Sequence, residues 1–220
     1  MNTKLIKILL AGAAVAFGSS LQVMANSTPL LPGTSVTPLV LATNSVAPTV
    51  ASDTVTFSAT TISGSVYAYI LSGFADNPWA AAGGLTFVYA VTNSGVAGPG
   101  VDSVTGFSVN GWTSFMTDVA DFNIGGAQPY SVTRSTSGTL TFGFLNPPTG
   151  FGLVAPGMSS WDLIIYSDAT SWTTVSVGVR DGTGLTLSTL GPAIPDGGTT
   201  ALLLGLGLLG MGLIRRARKS

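Results

Sequence analysis

Ser65-Val66-Tyr67-Ala68-Tyr69-Ile70-Leu71 is the stretch on which the reading of the fold turns. It is rich in β-branched and aromatic residues, which suit a pleated, half-buried strand. Just upstream, Val55, Phe57 and Ala59 share one parity while Thr54, Thr56 and Ser58 take the other, the period of a strand with one buried face. Similar runs recur at 85–92, 101–109, 130–134, 139–145, 161–167, 172–180 and 185–190. Turn clusters such as Asn93-Ser94-Gly95, Asn146-Pro147-Pro148 and Asp181-Gly182-Thr183-Gly184 separate nearly all of them. Short strands at regular intervals with turns between them point to an all-β fold, an antiparallel β-sandwich over 53–191. In 113–121 a short helix or irregular loop competes, because Phe115, Val119 and Phe122 recur at helical spacing. Nowhere does the strand–helix alternation of an α/β fold occur.

Composition sets the outer limits. The chain has 220 residues, 29 of them Gly, and only 8% are charged while 45% are hydrophobic. Low charge with high apolar content argues against disorder. There is no His, Cys or Glu. The net charge of −1 hides a segregation: Lys4, Lys7, Arg215, Arg216, Arg218 and Lys219 occupy the two ends. All nine acids are Asp and lie between Asp53 and Asp196, with only Arg134 and Arg180 among them, leaving the middle acidic by seven charges. Such a surface repels phosphate backbones, so no nucleic-acid partner is expected. Without Cys there are no disulfides, no thiolate catalysis and no Cys-based zinc site.

Residues 1–25 follow the plan of a secretory signal. Lys4 and Lys7 form the positive region, 8–18 is uncharged and apolar, and Val23-Met24-Ala25 supplies compact residues for cleavage after Ala25. The apolar run is too short to span a membrane comfortably. Residues 26–52 carry Pro29, Pro32, Pro38 and Pro48. Proline removes backbone donors and disfavours a central strand, so this segment reads as an extended lead-in with one edge strand around 36–41. Asn26-Ser27-Thr28 matches a glycosylation sequon, a tripeptide that often arises by chance.

Chemistry is sparse. Neither Ser-His-Asp nor Cys-His machinery can be assembled without His and Cys, and no cofactor is expected. Asp118 and Asp121 would share a helix face, with Asp102 nearby in sequence, and could serve a Ca²⁺ site or a glycosidase pair. Solvated Asp at loop ends is the commoner role. The segment 181–184 lacks the acids and terminal Glu of a Ca²⁺ loop and reads as a hairpin turn. Trp79, Trp112, Trp161 and Trp172, with Tyr67, Tyr69, Tyr89, Tyr130 and Tyr166, could form a sugar-stacking platform, but strand aromatics more often fill the core. Gly205-Leu206-Gly207-Leu208-Leu209-Gly210 fits G-x-G-x-x-G, yet no strand precedes it and no acid follows. It is a false positive.

Residues 199–214 carry no charge and are built largely from Leu and Gly. As a helix they would reach about 24 Å at ~1.5 Å per residue, short of a roughly 30 Å hydrocarbon core. Arg215, Arg216, Arg218 and Lys219 can snorkel to relieve the mismatch, and belong on the cytoplasmic side. That expectation puts a transmembrane helix at 199–214, the basic cluster inside and the β domain outside. Immediately before it stands Ile194-Pro195-Asp196-Gly197-Gly198.

Motif, apolar span and basic end, in this order, resemble the tail of the PEP-CTERM class of bacterial sorting signals, in its Val-Pro-Asp-Ser-Gly variant. Pro195, Asp196 and Gly198 match, while Ile194 replaces Val and Gly197 replaces Ser. The resemblance implies processing of the 194–220 tail by exosortase, a membrane-embedded cysteine transpeptidase, in bacteria that make exopolysaccharide and biofilm. The segments 84–93, 114–119, 161–166 and 168–170 are also similar to ectodomain segments of such proteins, for which the resemblance implies no activity. The expected function is thus an exported, non-enzymatic surface or matrix protein, membrane-anchored and released by processing. A carbohydrate-binding module acting on exopolysaccharide is the alternative, and an Asp-only hydrolase a third.

Overall fold

The computed structural model describes residues 28–41, 47–96, 98, 100, 102–144, 152–182 and 184–194. Twelve strands form in chain order: β1 (Ser35–Val36), β2 (Leu39–Leu41), β3 (Thr49–Ser58), β4 (Ser63–Ser72), β5 (Leu85–Asn93), β6 (Gly106–Val109), β7 (Thr117–Phe122), β8 (Ser131–Arg134), β9 (Leu140–Gly143), β10 (Asp162–Ser167), β11 (Trp172–Arg180) and β12 (Gly184–Pro192). They make two six-stranded sheets, β1-β8-β9-β6-β11-β12 and β2-β7-β10-β5-β4-β3. Only β2 and β7 pair in parallel among the described strands. The architecture is an all-β sandwich of two sheets, and the single described helix is the 3-10 turn Ala80–Ala82.

Alternation explains the first sheet. Phe107, Val109, Val132, Leu140, Phe142, Val177 and Val179 point inward and are buried, while small polar residues such as Ser108, Thr133 and Thr141 take the outer positions. From the second sheet, Val66, Ala68, Ile70, Phe87, Tyr89, Val91, Leu163 and Ile165 complete the core. The second sheet is covered on its outer face as well. Leu71, Phe74, Val88, Ala120, Ile164 and Tyr166 form a second buried cluster there, against which Ala47 and Trp79 pack. The unbroken apolar run Leu163-Ile164-Ile165-Tyr166 suits a strand buried on both faces.

Three readings of the sequence need adjustment. No helix forms in 113–121: β7 lies between β10 and β2, and ladder pairing on both sides outweighs the helical spacing of Phe115, Val119 and Phe122. The run 101–109 yields a strand only at β6, with Val104 held by an isolated bridge to Val154. The lead-in, finally, is part of the fold. Leu30 is buried in the core, and the expected edge strand is two shorter ones, β1 and β2, in different sheets. Pro38 sits between them, where the missing N–H disrupts no ladder. β2 and β3 then stand at opposite edges of the second sheet.

Arg134, at the end of β8, is 3% exposed. Its Nη1 donates to Leu30 O and Thr117 Oγ1, both at 2.9 Å, and its Nη2 to Trp112 O at 2.6 Å and Phe115 O at 2.7 Å. Burial lowers the guanidinium pKa, and the negative charge of Asp168 works in the other direction. Gly138, in the adjoining hairpin at φ +77°, is required because a Cβ there would strike the Thr113 backbone. Arg134→Met would take the donor from four buried acceptors, of which, among the described residues, Trp112 O alone keeps another, the Phe115 N–H, and should lower the unfolding free energy by about 3–5 kcal/mol. Chemical denaturation followed by tryptophan fluorescence measures this, and a loss below about 1 kcal/mol would show the clamp to be dispensable.

Candidate functional site

The sorting motif begins at the foot of the sandwich. After β12, Ala193 N donates to Ser171 O at 3.1 Å, and Ile194 follows, 61% exposed. An exposed extension from the end of an edge strand is open to a processing enzyme. Pro195, Asp196, Gly197, Gly198, the 199–214 span and the cluster Arg215, Arg216, Arg218 and Lys219 lie outside the described residues, as do the signal segment and its Ala25. Among the described residues no helix is long and apolar enough to cross a membrane.

The structure takes apart the Asp pair considered from sequence. In β7 successive side chains alternate. Asp121 therefore shares the inward face with Val119, while Asp118 shares the outward face with Ala120. The helical spacing that would have joined them does not exist. Asp102 N bonds Thr61 O, at the far end of the sandwich from Asp118. Asp181 stands in the turn between β11 and β12, where its Oδ2 accepts from Thr61 Oγ1 at 2.6 Å. No cluster of three or more metal-ligating acids occurs among the described residues.

Each half of the former pair has its own surroundings. Asp118 Oδ1 accepts from the Val119 N–H at 2.8 Å, while its Oδ2 is buried without a partner. Burial raises this carboxyl to about 6, against the lowering effect of the backbone bond. Its cross-strand neighbour Tyr166 also has an unpartnered buried hydroxyl, held un-ionised by burial and by the charges of Asp76 and Asp118. A cleft of about 540 Å³ opens beside Asp118 at the β1–β2 corner, lined mainly by Val36, Thr37, Pro38, Leu39 and Val40. Asp121 is fully buried; its Oδ2 accepts from Gln128 Nε2 at 3.3 Å and its Oδ1 has no partner. Burial pushes this carboxyl up to about 7, the Gln128 bond opposing. Sequence reasoning noticed both residues but had no signal for their separation.

The nine candidate platform aromatics divide three ways, with three buried, Trp79, Tyr69, Tyr130 and Trp161 half-buried, and Tyr67 and Trp172 exposed. Trp112, Tyr89 and Tyr166 are fully buried, and Trp112 meets Phe87 edge-on at 5.2 Å. On the outer face of the second sheet Tyr67 and Tyr69 stack tilted at 5.4 Å, and Tyr69 Oη donates to Asp162 Oδ2 at 2.8 Å. Burial raises the Asp162 pKa, with the Tyr69 bond acting against it. The exposed members, Tyr67 and Trp172, belong to different sheets and share no platform. A groove of about 150 Å³ on the outer face of the first sheet is lined by Tyr130, Thr133, Thr141 and Arg180 among others.

Residues 193–218 match the family model described as the VPDSG-CTERM motif, a C-terminal sorting signal. The match begins immediately after β12 ends, so tail and sandwich meet without an intervening linker. No curated protein and no solved structure matches the chain.

The buried acids make stability depend on pH in a definite direction. Asp121 has a folded pKa of about 7 against 3.8 for the free group, so the native state binds the proton more tightly than the unfolded chain. Stability must then fall as pH rises from about 4 to about 7 and level off above, with Asp118 adding to the same trend. Asp121→Asn should leave stability at pH 4 nearly unchanged and raise it at pH 8 by about 1–3 kcal/mol, the cost of an unsatisfied buried group. Urea unfolding of both proteins across this range tests the point; a wild-type stability that climbs from pH 5 to pH 8 would contradict it.

Proposed function

We propose that this chain is an exported, non-enzymatic surface or extracellular-matrix protein. The sandwich is its ectodomain, of the kind carried by other proteins with such tails. The tail holds the protein in the membrane until an exosortase-type enzyme cuts at or beside 194–198. The observation that carries this reading is the VPDSG-CTERM match over 193–218, which starts at the end of a folded domain. The physical order of the tail supports it: an apolar span bounded by Arg215, Arg216, Arg218 and Lys219 halts translocation with the basic end in the cytoplasm. The N-terminal pattern ending at Ala25 supplies the matching export signal. The separation of Asp118 from Asp121 onto opposite faces of β7 removes the carboxylate pair that a glycosidase reading would have used.

Mass spectrometry of the mature protein from its native host tests both ends at once. The expected polypeptide begins at Asn26 and ends within or just after 194–198, without the basic cluster. An intact Arg218-Lys219-Ser220 terminus on every molecule would overturn processing of the tail.

A further inference from the structure

The chain leaves the sandwich at one particular end, and the sequence allows little distance between that end and the membrane segment. Only Pro195, Asp196, Gly197 and Gly198 separate Ile194 from Thr199. Five Cα–Cα steps reach about 17 Å at full extension. The sandwich itself is longer: β11 and β12, each nine residues, run about 30 Å at ~3.3 Å per residue. An anchored molecule therefore keeps the foot of the sandwich close to the bilayer.

That foot carries several exposed apolar side chains, brought to one end by backbone pairing. Leu31 adjoins Leu30, whose N–H bonds Thr117 O, next to Met116. Met116 N bonds Asp168 Oδ1 at 2.9 Å, and the same 168–172 segment leads through Ser171, which holds Ala193, to Trp172. Leu31, Met116, Trp172 and Ile194 are all substantially exposed. Arg134 at this end is buried and engaged, and Arg180 lies at the far end of β11. Asp76, Asp118 and Asp168 are the other described charged groups near this end, all acidic, so attraction to anionic lipid plays no part. Tryptophan and large aliphatic side chains nonetheless settle at the headgroup boundary.

The geometry points to a membrane-facing surface: while its tail is inserted, the sandwich seats this end, through Leu31, Met116, Trp172 and Ile194, on the lipid headgroups. The inference rests on the reading of 199–214 as a membrane segment. The chain has no Cys, which permits single labels. Met116→Cys at the foot and Ile124→Cys at the opposite end replace residues of similar exposure, 45% and 52%. Each full-length variant would carry a bimane fluorophore in phosphatidylcholine vesicles containing a headgroup spin-labelled lipid. The label at 116 should be quenched severalfold more than that at 124, with little change in high salt. Leu31→Cys supplies an independent label at the foot should the first variant fail to fold. Flotation of protein with vesicles but equal quenching at both ends would overturn the seating and leave the tail reading intact. Protein that does not float at all would remove the membrane segment and this inference together.

Discussion

A single guanidinium holds together three segments of this sandwich that lie far apart in sequence. Arg134 closes β8 and reaches the chain before β1, the crossing from β6 to β7, and β7 itself. Its four acceptors are neutral, so the bonds must offset the cost of burying the charge without an ion pair at hydrogen-bonding distance. The planar fork of arginine suits this task because it presents several donors in fixed directions, which a lysine cannot. The nearby charge of Asp168 helps keep it ionised, and Asp168 also holds the Met116 N–H. The opposite side of the sandwich is closed more lightly, by Thr189 Oγ1 donating to Asp53 Oδ2 at 2.8 Å between the edge strands β12 and β3.

How much of this was legible in the sequence depended on whether a local pattern or a distant partner decided the outcome. β11 coincides with the run expected at 172–180, and β4, β5 and β10 fall within a few residues of theirs, because alternation and apolar runs are local signals. The Pro-rich lead-in was legible as edge material, but its division between two sheets was not, since that depends on where β7 and β8 lie. β7 was ambiguous for a related reason. Thr117-Asp118-Val119-Ala120-Asp121-Phe122 places polar and apolar residues on both faces, so neither period stands out. Asp121 points into the core and Asp118 into a second apolar layer, a double burial that single-sequence alternation cannot anticipate. Arg134 gave no signal at all, arginine being ordinarily a surface residue.

The division of labour between domain and tail follows from these features. The sandwich stores its unusual chemistry internally, in Arg134, Asp118, Asp121 and Tyr166, where these groups shape stability and pH response. The residues that bear on destination are sequential and terminal, which is why 194–198 and 215–219 could be read without any structure. The fold adds their point of attachment. Because β12 ends where the sorting signal begins, the signal is displayed at a defined end of a folded body.

Under the proposed function, residues 193–220 suffice for delivery and the sandwich is what they deliver. Transfer of residues 193–220 to an unrelated exported domain with its own signal peptide, expressed in the native host, tests this directly. The account predicts that the reporter associates with the cell envelope and loses the basic cluster, as the natural chain does. A reporter released freely with its tail intact, from cells that process the natural chain, would contradict it.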